Sequence, residues 1–338
     1  AATATAQPLV SIFFGGGTPS LMPPAATEKL INKAERLFGF AKDVEITLEA
    51  NPTSSEAEKF RAFASAGVNR FSVGMQSPDG RDLAFLGREH NKNEALKAID
   101  AARGATGNVS LDLIYGLPGQ DLTRWQHNLE TLAALGTPHI SCYQLTIEKN
   151  TKFYADMNKG RLTPASDGVQ ADFYHATNKV LTRAGFAQYE VSNYARDGAV
   201  CQHNSHIWRY GSYMGIGAGA HGRTRQQDAS LMATRNYKMP EKYIAQVENA
   251  GHGRYEIQPV SPDEQVTEAA LLGLRLTEGL PRARLQSLGG QPADTWLNQD
   301  GITLMTTNGF LAPQTGSTLT PTREGLAMLE GVLGYVLK

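Results

Sequence analysis

The sequence predicts an α/β protein, with a parallel sheet or barrel followed by a smaller second domain. Short β-rich runs alternate with amphipathic helical stretches from the start of the chain to about residue 225. After that point the order changes to helices and one small hairpin. The chain has 338 residues, of which 41% are hydrophobic, so it can bury a large core. These observations predict two domains, 1–225 and 226–338.

The predicted strands are rich in β-branched, aromatic and other apolar residues, and each is followed by a stretch with helical periodicity. The strands are 9–14, 44–49, 70–75, 109–115, 139–147 and 188–194. The helices are 25–38, 55–66, 91–103, 121–135 and 168–185. This repeated βα order requires crossover connections, which are right-handed when they join parallel strands.

The second domain is predicted to have a winged-helix-like α+β arrangement. A polar stretch, 223–230, leads into helices at 238–249 and 262–276. A small hairpin is expected from 309–311 and 318–320, and a last helix over 322–336. That helix has few cations and a continuous apolar face, which favours packing inside the protein over nucleic-acid binding.

Polar residues and a glycine-rich turn stand where the predicted strands end. Gly15–Thr18 follows the first strand, and a turn without Cβ atoms lets backbone approach a ligand, although it can also be a plain turn. Glu49, Gln76 and Asp112 lie at the ends of the next three strands, where a barrel gathers its site. A carboxylate can bind a ribose diol, and Arg88 can bind a ligand carboxylate.

Each of these four side chains also has a purely structural interpretation. Glu49 could cap the following helix, and Gln76 could satisfy the backbone of its loop. Arg88 could lie on a solvated face, and Asp112 could pair with a buried cation. The sequence leaves both interpretations open at each position.

Composition argues against several classes of function. A net charge of −1 gives no electrostatic footprint for nucleic acid or an anionic membrane, so no nucleic-acid partner is expected. The apolar runs are too short to span a bilayer, although peripheral membrane contact stays open. Ala1–Pro8 has no signal-peptide pattern, which favours a cytoplasmic location.

Six segments, taken together and in order, resemble the radical S-adenosylmethionine proteins related to oxygen-independent coproporphyrinogen oxidase. They are FGGGTPSL (14–21), LEANP (48–52), GMQS (74–77), LGREH (86–90), LDLIYGLP (111–118) and YQLTIEKNT (143–151). The resemblance implies a partial (β/α)6-type barrel that binds S-adenosylmethionine beside a [4Fe–4S] cluster, and a small C-terminal domain. By motif, the S-adenosylmethionine contacts would be Gly16, Gly17, Thr18, Glu49, Gln76, Arg88 and Asp112.

Within that family the chain is most similar to the haem chaperone branch. The similarity rests on CQHNSHIW (201–208) and on GIGAGAHG (215–222). It implies haem binding through His203, Asn204 and Trp208, with His206 as a second candidate ligand. Isoleucine stands at 207, where the branch usually has tyrosine, and the alternative is that this segment only satisfies a turn and packs in the core.

The remaining features of that region receive structural interpretations. His221 is expected to be structural. The segment 217–222 also fits the pattern G-x-G-x-x-G, but a polar stretch follows it instead of an amphipathic helix, which argues against a dinucleotide site.

The cysteines depart from the family pattern. Family members carry Cys-x3-Cys-x2-Cys on a strand before the glycine turn, whereas this chain has only Cys142 and Cys201, neither in that position. We expect the first barrel strand and its loop to be missing here, by removal or by disorder, or else the cluster to have been lost. For the complete protein the resemblance implies a [4Fe–4S] cluster with three cysteine ligands.

Two functions follow from the resemblance. The first is a haem chaperone that passes haem to acceptor haemoproteins, which could include respiratory ones, with the cluster and S-adenosylmethionine in a controlling role. The second is a coproporphyrinogen III oxidase that decarboxylates propionate side chains by radical chemistry. The chaperone-like segment at His203 favours the first, and oxidase activity is not expected; whether the protein turns over any substrate stays open.

Overall fold

A computed structural model describes residues 8–53 and 59–338 of the chain. The described residues pack as two compact units, 8–202 and 203–338. The predicted domain boundary near residue 225 stays a prediction. Part of the helix predicted at 55–66 lies outside the described residues.

The first unit is built on a sheet of seven strands in the order β1-β2-β3-β4-β5-β7-β6. The strands are β1 (Leu9–Phe14), β2 (Phe40–Ala50), β3 (Arg70–Gln76), β4 (Val109–Tyr115), β5 (His139–Gln144), β6 (Ala187–Gln188) and β7 (Asn193–Ala195). Strands β1 to β5 pair in parallel, and β7 pairs antiparallel with both β5 and β6. The predicted parallel strands are therefore confirmed.

One or two helices follow each of the parallel strands, and most begin where a side chain caps the first turn. They are α1 (Pro24–Phe38), α2 (Phe60–Ser65), α3 (Gly80–Phe85), α4 (Lys92–Thr106), α5 (Leu122–Ala133), α6 (Lys152–Asn158) and α7 (Asp167–Arg183). Asn91 and Glu94 form a capping box at α4, which ends at Gly107 in a left-handed conformation. Asp121 and Ser166 cap α5 and α7 in the same way, by accepting backbone N–H groups.

The two faces of the parallel sheet differ in chemistry because side chains alternate along each strand. Leu48, Phe71 and Leu111 are fully buried and belong to the core. The intervening positions carry polar groups, such as Glu49 on β2 and Asp112 on β4. The strand register therefore collects polar side chains from distant parts of the sequence on one face of the sheet.

The second unit contains two small sheets and a separate core. Its elements are α8 (Gln202–Trp208, whose first residue belongs to the first unit), β8 (His221–Arg225), β9 (Leu231–Asn236), α9 (Pro240–Ala250), β10 (Arg254–Pro259), α10 (Pro262–Gly273), β11 (Leu280–Pro281), α11 (Arg282–Gly289), α12 (Gln299–Thr307), β12 (Thr318–Leu319), α13 (Arg323–Ala327) and α14 (Leu329–Val336). Strands β10-β9-β8 form an antiparallel sheet, and β11 pairs with β12. Leu274, Leu285, Leu297 and Leu319 are among the fully buried side chains of its core.

Two strand predictions in the first unit were wrong in detail. The strand predicted at 188–194 is the hairpin β6–β7, because the buried carboxylate of Glu190 accepts hydrogen bonds from the backbone N–H of Ser192 and from Asn193 Nδ2 and so holds a turn there. The strand predicted at 139–147 ends at Gln144, because its neighbour β4 ends at Tyr115 and leaves later residues without a parallel partner.

Three predictions in the second unit also need correction. The polar stretch 223–230 does not lead directly into a helix; it forms the end of β8 and the turn into β9. Strand β12 pairs with β11, while the hairpin predicted with 309–311 is reduced to a single bridge between Leu311 and Pro321. The last predicted helix is divided at Met328, whose backbone (φ −117°, ψ 31°) is not helical.

No helix in the described ranges combines the length and the apolar character that crossing a membrane requires.

Candidate functional site

The glycine turn after β1 is tied to the end of β2. Gly16 and Gly17 have φ of +81° and +60°, conformations that other residues rarely adopt. The backbone N–H of Gly16 donates to Oε2 of Glu49 at 3.1 Å. Asn51 Nδ2 donates to Oγ1 of Thr18 at 3.3 Å. The structure therefore brings together Gly16, Thr18 and Glu49, which the sequence placed in one site.

The Glu49 carboxyl lies in an environment that resists ionisation. Burial raises its pKa above the ordinary value, the Gly16 N–H acts in the opposite direction, and the negative charge of Asp112 raises the pKa further. Glu49 is paired across the sheet with Ser72, whose hydroxyl donates to Asp112, so the two carboxyls face the same region of the sheet. Two carboxyls in one partly buried region can accept hydrogen bonds from a ligand's hydroxyl or amino groups.

Asp112 is held by hydroxyl groups from its own strand and from the neighbouring strand β3. Ser72 Oγ donates to Oδ2 at 2.6 Å, and Ser110 Oγ donates to Oδ1 at 3.0 Å. Burial raises the pKa of the Asp112 carboxyl, and these hydroxyls and the charge of Arg70 oppose that effect. The contacts of the described residues include no direct ion pair between Asp112 and a buried cation.

A chain of hydrogen bonds, which the sequence analysis missed, supports Asp112 from behind. Ser110 Oγ lies 2.7 Å from His139 Nδ1, and His139 Nε2 lies 2.8 Å from Tyr189 Oη, which accepts the backbone N–H of Cys201 at 3.3 Å. Burial lowers the pKa of His139 well below its ordinary value, so the imidazole is neutral.

One tautomer satisfies every link of this chain. Nδ1–H of His139 donates to Ser110, whose hydroxyl donates to Asp112, while the Tyr189 hydroxyl donates to Nε2. The sequence shows Ser110 and His139 as polar residues within largely apolar strands. It does not predict that the two residues pair across β4 and β5.

Gln76 ends β3 in a strained backbone conformation, with φ of +64°. Its side chain folds back over Gly74, where an added Cβ would lie 2.7 Å from Nε2. The next residue, Ser77, donates to Asp82, and Asp82 also accepts Nε2 of Gln120 at 3.0 Å. The loops that follow β3 and β4 are thus joined through one buried carboxylate.

Arg88, which the sequence predicts to bind the ligand, does not contact the predicted site residues Glu49 and Asp112. Its side chain is exposed and makes no hydrogen bond or ion pair with any described residue. It lines an open cavity of about 470 Å³ together with His90 and Lys92, between α3 and α4. The structure does not bring its guanidinium into contact with Glu49 or Asp112.

The cysteines do not fit an iron–sulfur cluster. Cys142 on β5 and Cys201 before α8 are both buried, and two thiols cannot supply the three thiolates that such a cluster needs. Across 8–53 and 59–338, no three His, Cys, Asp or Glu side chains come together in a way that could hold a metal ion.

Helix α8 carries the histidine-containing segment. His203, Asn204 and Trp208 are all half-buried, and Asn204 and Trp208 are four residues apart, so they share one face of the helix. The guanidinium of Arg275 lies 5.5 Å from the ring centre of Trp208. On this short helix, the imidazole can ligate an iron, and the indole can pack on a flat ring.

The other two histidines of this region have different surroundings. His206 is held by the backbone: its Nε2 donates to the carbonyl oxygen of Ser212 at 2.9 Å, so this nitrogen is committed. His221 is exposed at the start of β8.

Comparison with known proteins places these features in a family context. Residues 1–132 match the Radical SAM superfamily, and residues 260–328 match the HemN C-terminal domain. The chain is 35% identical over 342 residues to "Radical S-adenosyl methionine domain-containing protein 1, mitochondrial" of Danio rerio, an alignment covering 97% of this chain and 75% of that protein. It is 39% identical over 285 residues to "Heme chaperone HemW" of Synechocystis sp., covering 83% of this chain and 68% of that protein.

A solved structure shows the same fold. The chain superimposes on coproporphyrinogen III oxidase (HemN) from Escherichia coli with a TM-score of 0.77, covering 96% of this chain and 77% of that one. At 18% sequence identity this likeness concerns the fold alone. It confirms the predicted partial barrel, and the match to the HemN C-terminal domain confirms the predicted family of the second domain.

Proposed function

Since this chain belongs to the radical S-adenosylmethionine superfamily and, within it, to the family of the HemW proteins, we propose that it binds haem and passes it to haem-accepting proteins. The support is the match, at up to 39% identity over most of the chain, to proteins named haem chaperones. The solved oxidase is 18% identical and supports a shared fold rather than a shared reaction. A chaperone is therefore favoured over an oxidase.

The observation that carries this proposal is the arrangement of α8. His203 and Trp208 lie on the same short helix and are each partly exposed, so both can reach a ligand outside the core. Haem offers an iron with axial positions and a flat apolar ring. His203 would bind the iron, and Asn204 and Trp208 would contact the ring or its substituents.

The first unit would hold S-adenosylmethionine. The turn at Gly16, Gly17 and Thr18 offers bare backbone, and Glu49 would accept the hydroxyls of the ribose. Arg88 would bind the carboxylate of the ligand, and Gln76 and Asp112 would complete the contacts. S-adenosylmethionine supplies, when bound, a sulfonium with a transferable adenosyl group.

Membership of the radical S-adenosylmethionine superfamily supports a [4Fe–4S] cluster, and a cytoplasmic location is part of the same proposal. The cluster would need thiolates that this chain's two cysteines do not provide, so no residue here is assigned to it. The acceptors would be haemoproteins of the cytoplasm or of the adjoining membrane surface, with respiratory haemoproteins as the first class to examine.

A haem titration tests the proposal. The chain and its His203→Ala variant are titrated with hemin and followed by Soret absorbance, with His221→Ala as a matched control because His221 is exposed in the same unit. We expect saturable binding, weakened at least about tenfold by His203→Ala and unchanged by His221→Ala. A second assay follows transfer of the bound haem to an apo-haemoprotein.

Three results would count against the proposal. Absence of saturable binding would remove haem handling altogether. Equal weakening by both histidine variants would remove the role of His203. Binding without any transfer to an apo-haemoprotein would contradict the chaperone role.

A further inference from the structure

The segment 211–220, which follows α8, exposes two large apolar side chains. Met214 is 50% exposed and Ile216 is 74% exposed. Between and after them the chain is Gly215, Gly217, Ala218, Gly219 and Ala220, so little side-chain bulk surrounds these two residues. The proposed function assigns no role to this segment.

The glycine-rich part of the segment is held in one conformation by side chains of strand β9 and helix α9 of the second unit. Asn236 Nδ2 donates to the carbonyl oxygens of Gly215 and Gly217 at 3.2 and 2.9 Å. Tyr243 Oη accepts the N–H of Gly217 at 3.1 Å. A Cβ at position 215 would collide with the backbone of His221, so only glycine fits there. Met214 and Ile216 are therefore presented by a pre-organised backbone.

The same segment is attached to the helix that carries His203. The N–H of Gly211 donates to the carbonyl oxygen of His206 at 2.8 Å, and Nε2 of His206 donates back to Ser212 at 2.9 Å. Gly211 packs against the His206 ring, which leaves no room for a Cβ. Through His206, the first residues of the segment have a fixed relation to α8.

We propose that Met214 and Ile216 form an apolar wall of the haem site, opposite or beside the face offered by α8. This inference rests on the proposed function. A porphyrin ring is flat and largely apolar, and it gains free energy when apolar side chains cover it. The glycines let that ring approach the backbone closely, which larger residues would prevent.

The size of the apolar surface favours a small ligand over a protein partner. Two exposed side chains on a loop of small residues can bury far less surface area than the roughly 800 Å² per partner that a stable protein interface buries. Haem is the apolar ligand that the imidazole and indole of α8 would also recognise. The role of His206 would then be to position this wall rather than to bind iron.

The test is a hemin titration of the full chain and four variants, followed by Soret absorbance. Ile216→Glu and Met214→Glu place a carboxylate against the ring and should each raise the apparent Kd about tenfold or more. Met214→Leu keeps the apolar contact and should bind like the unsubstituted chain. Ile257→Glu is the matched control, since Ile257 is 52% exposed on β10 and β9 separates that strand from β8.

Each pattern of results either supports or overturns the proposed apolar wall. Weaker binding by both glutamate variants, with normal binding by Met214→Leu and Ile257→Glu, supports the wall. Normal binding by Ile216→Glu and Met214→Glu, while His203→Ala weakens binding, overturns the wall and leaves the proposed function standing. Equal weakening by Ile257→Glu indicates non-specific adsorption and also overturns it. If the unsubstituted chain binds no haem, both proposals fail; thermal melting shows that each variant is folded.

Discussion

Oε2 of Glu45 lies 3.8 Å from Nε of Arg70, and both side chains are buried, at 5% and 3% exposed. Glu45 also accepts the backbone N–H of Gln202 at 3.1 Å and the thiol of Cys201 at 3.5 Å. One buried carboxylate therefore compensates a buried guanidinium and anchors the residues that lead into α8.

Glu45→Ala should strongly destabilise the first unit, because it removes the ion-pair partner of the buried Arg70. We expect a loss of about 3–5 kcal/mol in the free energy of unfolding, measured by urea denaturation. Adding Arg70→Met should recover part of that loss. Asp100→Ala, which breaks the exposed pair with Arg103, is the control and should cost less than about 1 kcal/mol. If Glu45→Ala lowered the free energy of unfolding as little as the control does, Glu45 would not be compensating the charge of Arg70.

Asp112→Asn should stabilise the chain at neutral pH. Burial raises the pKa of Asp112 in the folded state, so the unfolded state loses its proton at a lower pH than the folded state. The wild-type chain therefore loses stability as pH rises from the unfolded pKa through the folded pKa, and the asparagine variant does not. We expect a gain of about 1 kcal/mol or more at neutral pH.

The difference between the two chains should shrink when pH falls below about 4, where the aspartate is protonated in both states. Thermal melting across this pH range measures it. A variant that is less stable than the wild type at neutral pH would show that the hydrogen bonds from Ser72 and Ser110 outweigh the cost of burying the charge.

Two glycines in the loop after β4 should respond differently to alanine. Gly116 and Gly119 have φ of +75° and +69°, so both substitutions strain the backbone, by about 1–2 kcal/mol. At Gly116 the new Cβ would also collide with the amide of Gln170, which donates to the Gly116 carbonyl at 3.3 Å, whereas at Gly119 the space is open. Gly116→Ala should therefore cost about 1–3 kcal/mol more.

Chemical denaturation of both single variants measures this difference. The double variant Gly116→Ala with Gln170→Ala removes the obstructing amide and should lose less than the sum of its two single variants. Equal losses from Gly116→Ala and Gly119→Ala would mean that backbone strain alone accounts for the effect.

The chain should bind S-adenosylmethionine only weakly, with a Kd above roughly 0.1 mM, because the cluster that anchors this ligand in the family is not available from its cysteines. Glu49→Gln should weaken this binding by about another tenfold, since an amide accepts fewer hydrogen bonds from a ribose. Ligand-observed NMR is suited to this affinity range. Glu35→Gln, an exposed change on α1, is the control.

The affinity should also depend on pH. Because burial raises the pKa of Glu49, its carboxylate is protonated at a higher pH than an ordinary glutamate, and binding should weaken as pH falls through that value. The Glu49→Gln variant should lack this dependence. Tight binding by the unsubstituted chain in a calorimetric titration would contradict the expected need for the cluster.

The sequence by itself determined the βα order, the positions of Glu49 and Asp112 on two of the strands, and membership of the family. These depend on local signals: alternation along a strand, periodicity along a helix, and short motifs whose residues are close in the chain. For the same reason the predicted parallel strands agree with the structure even though several of their ends do not.

Only the tertiary structure decided which polar groups meet. Ser110 and His139 are 29 residues apart, His139 and Tyr189 are 50 apart, and Cys201 and Glu45 are 156 apart. Strand β12 likewise pairs with β11 rather than with the nearer segment at 309–311. Such contacts depend on strand register and on which elements become neighbours, and a pattern that repeats every two or four residues carries no information about either.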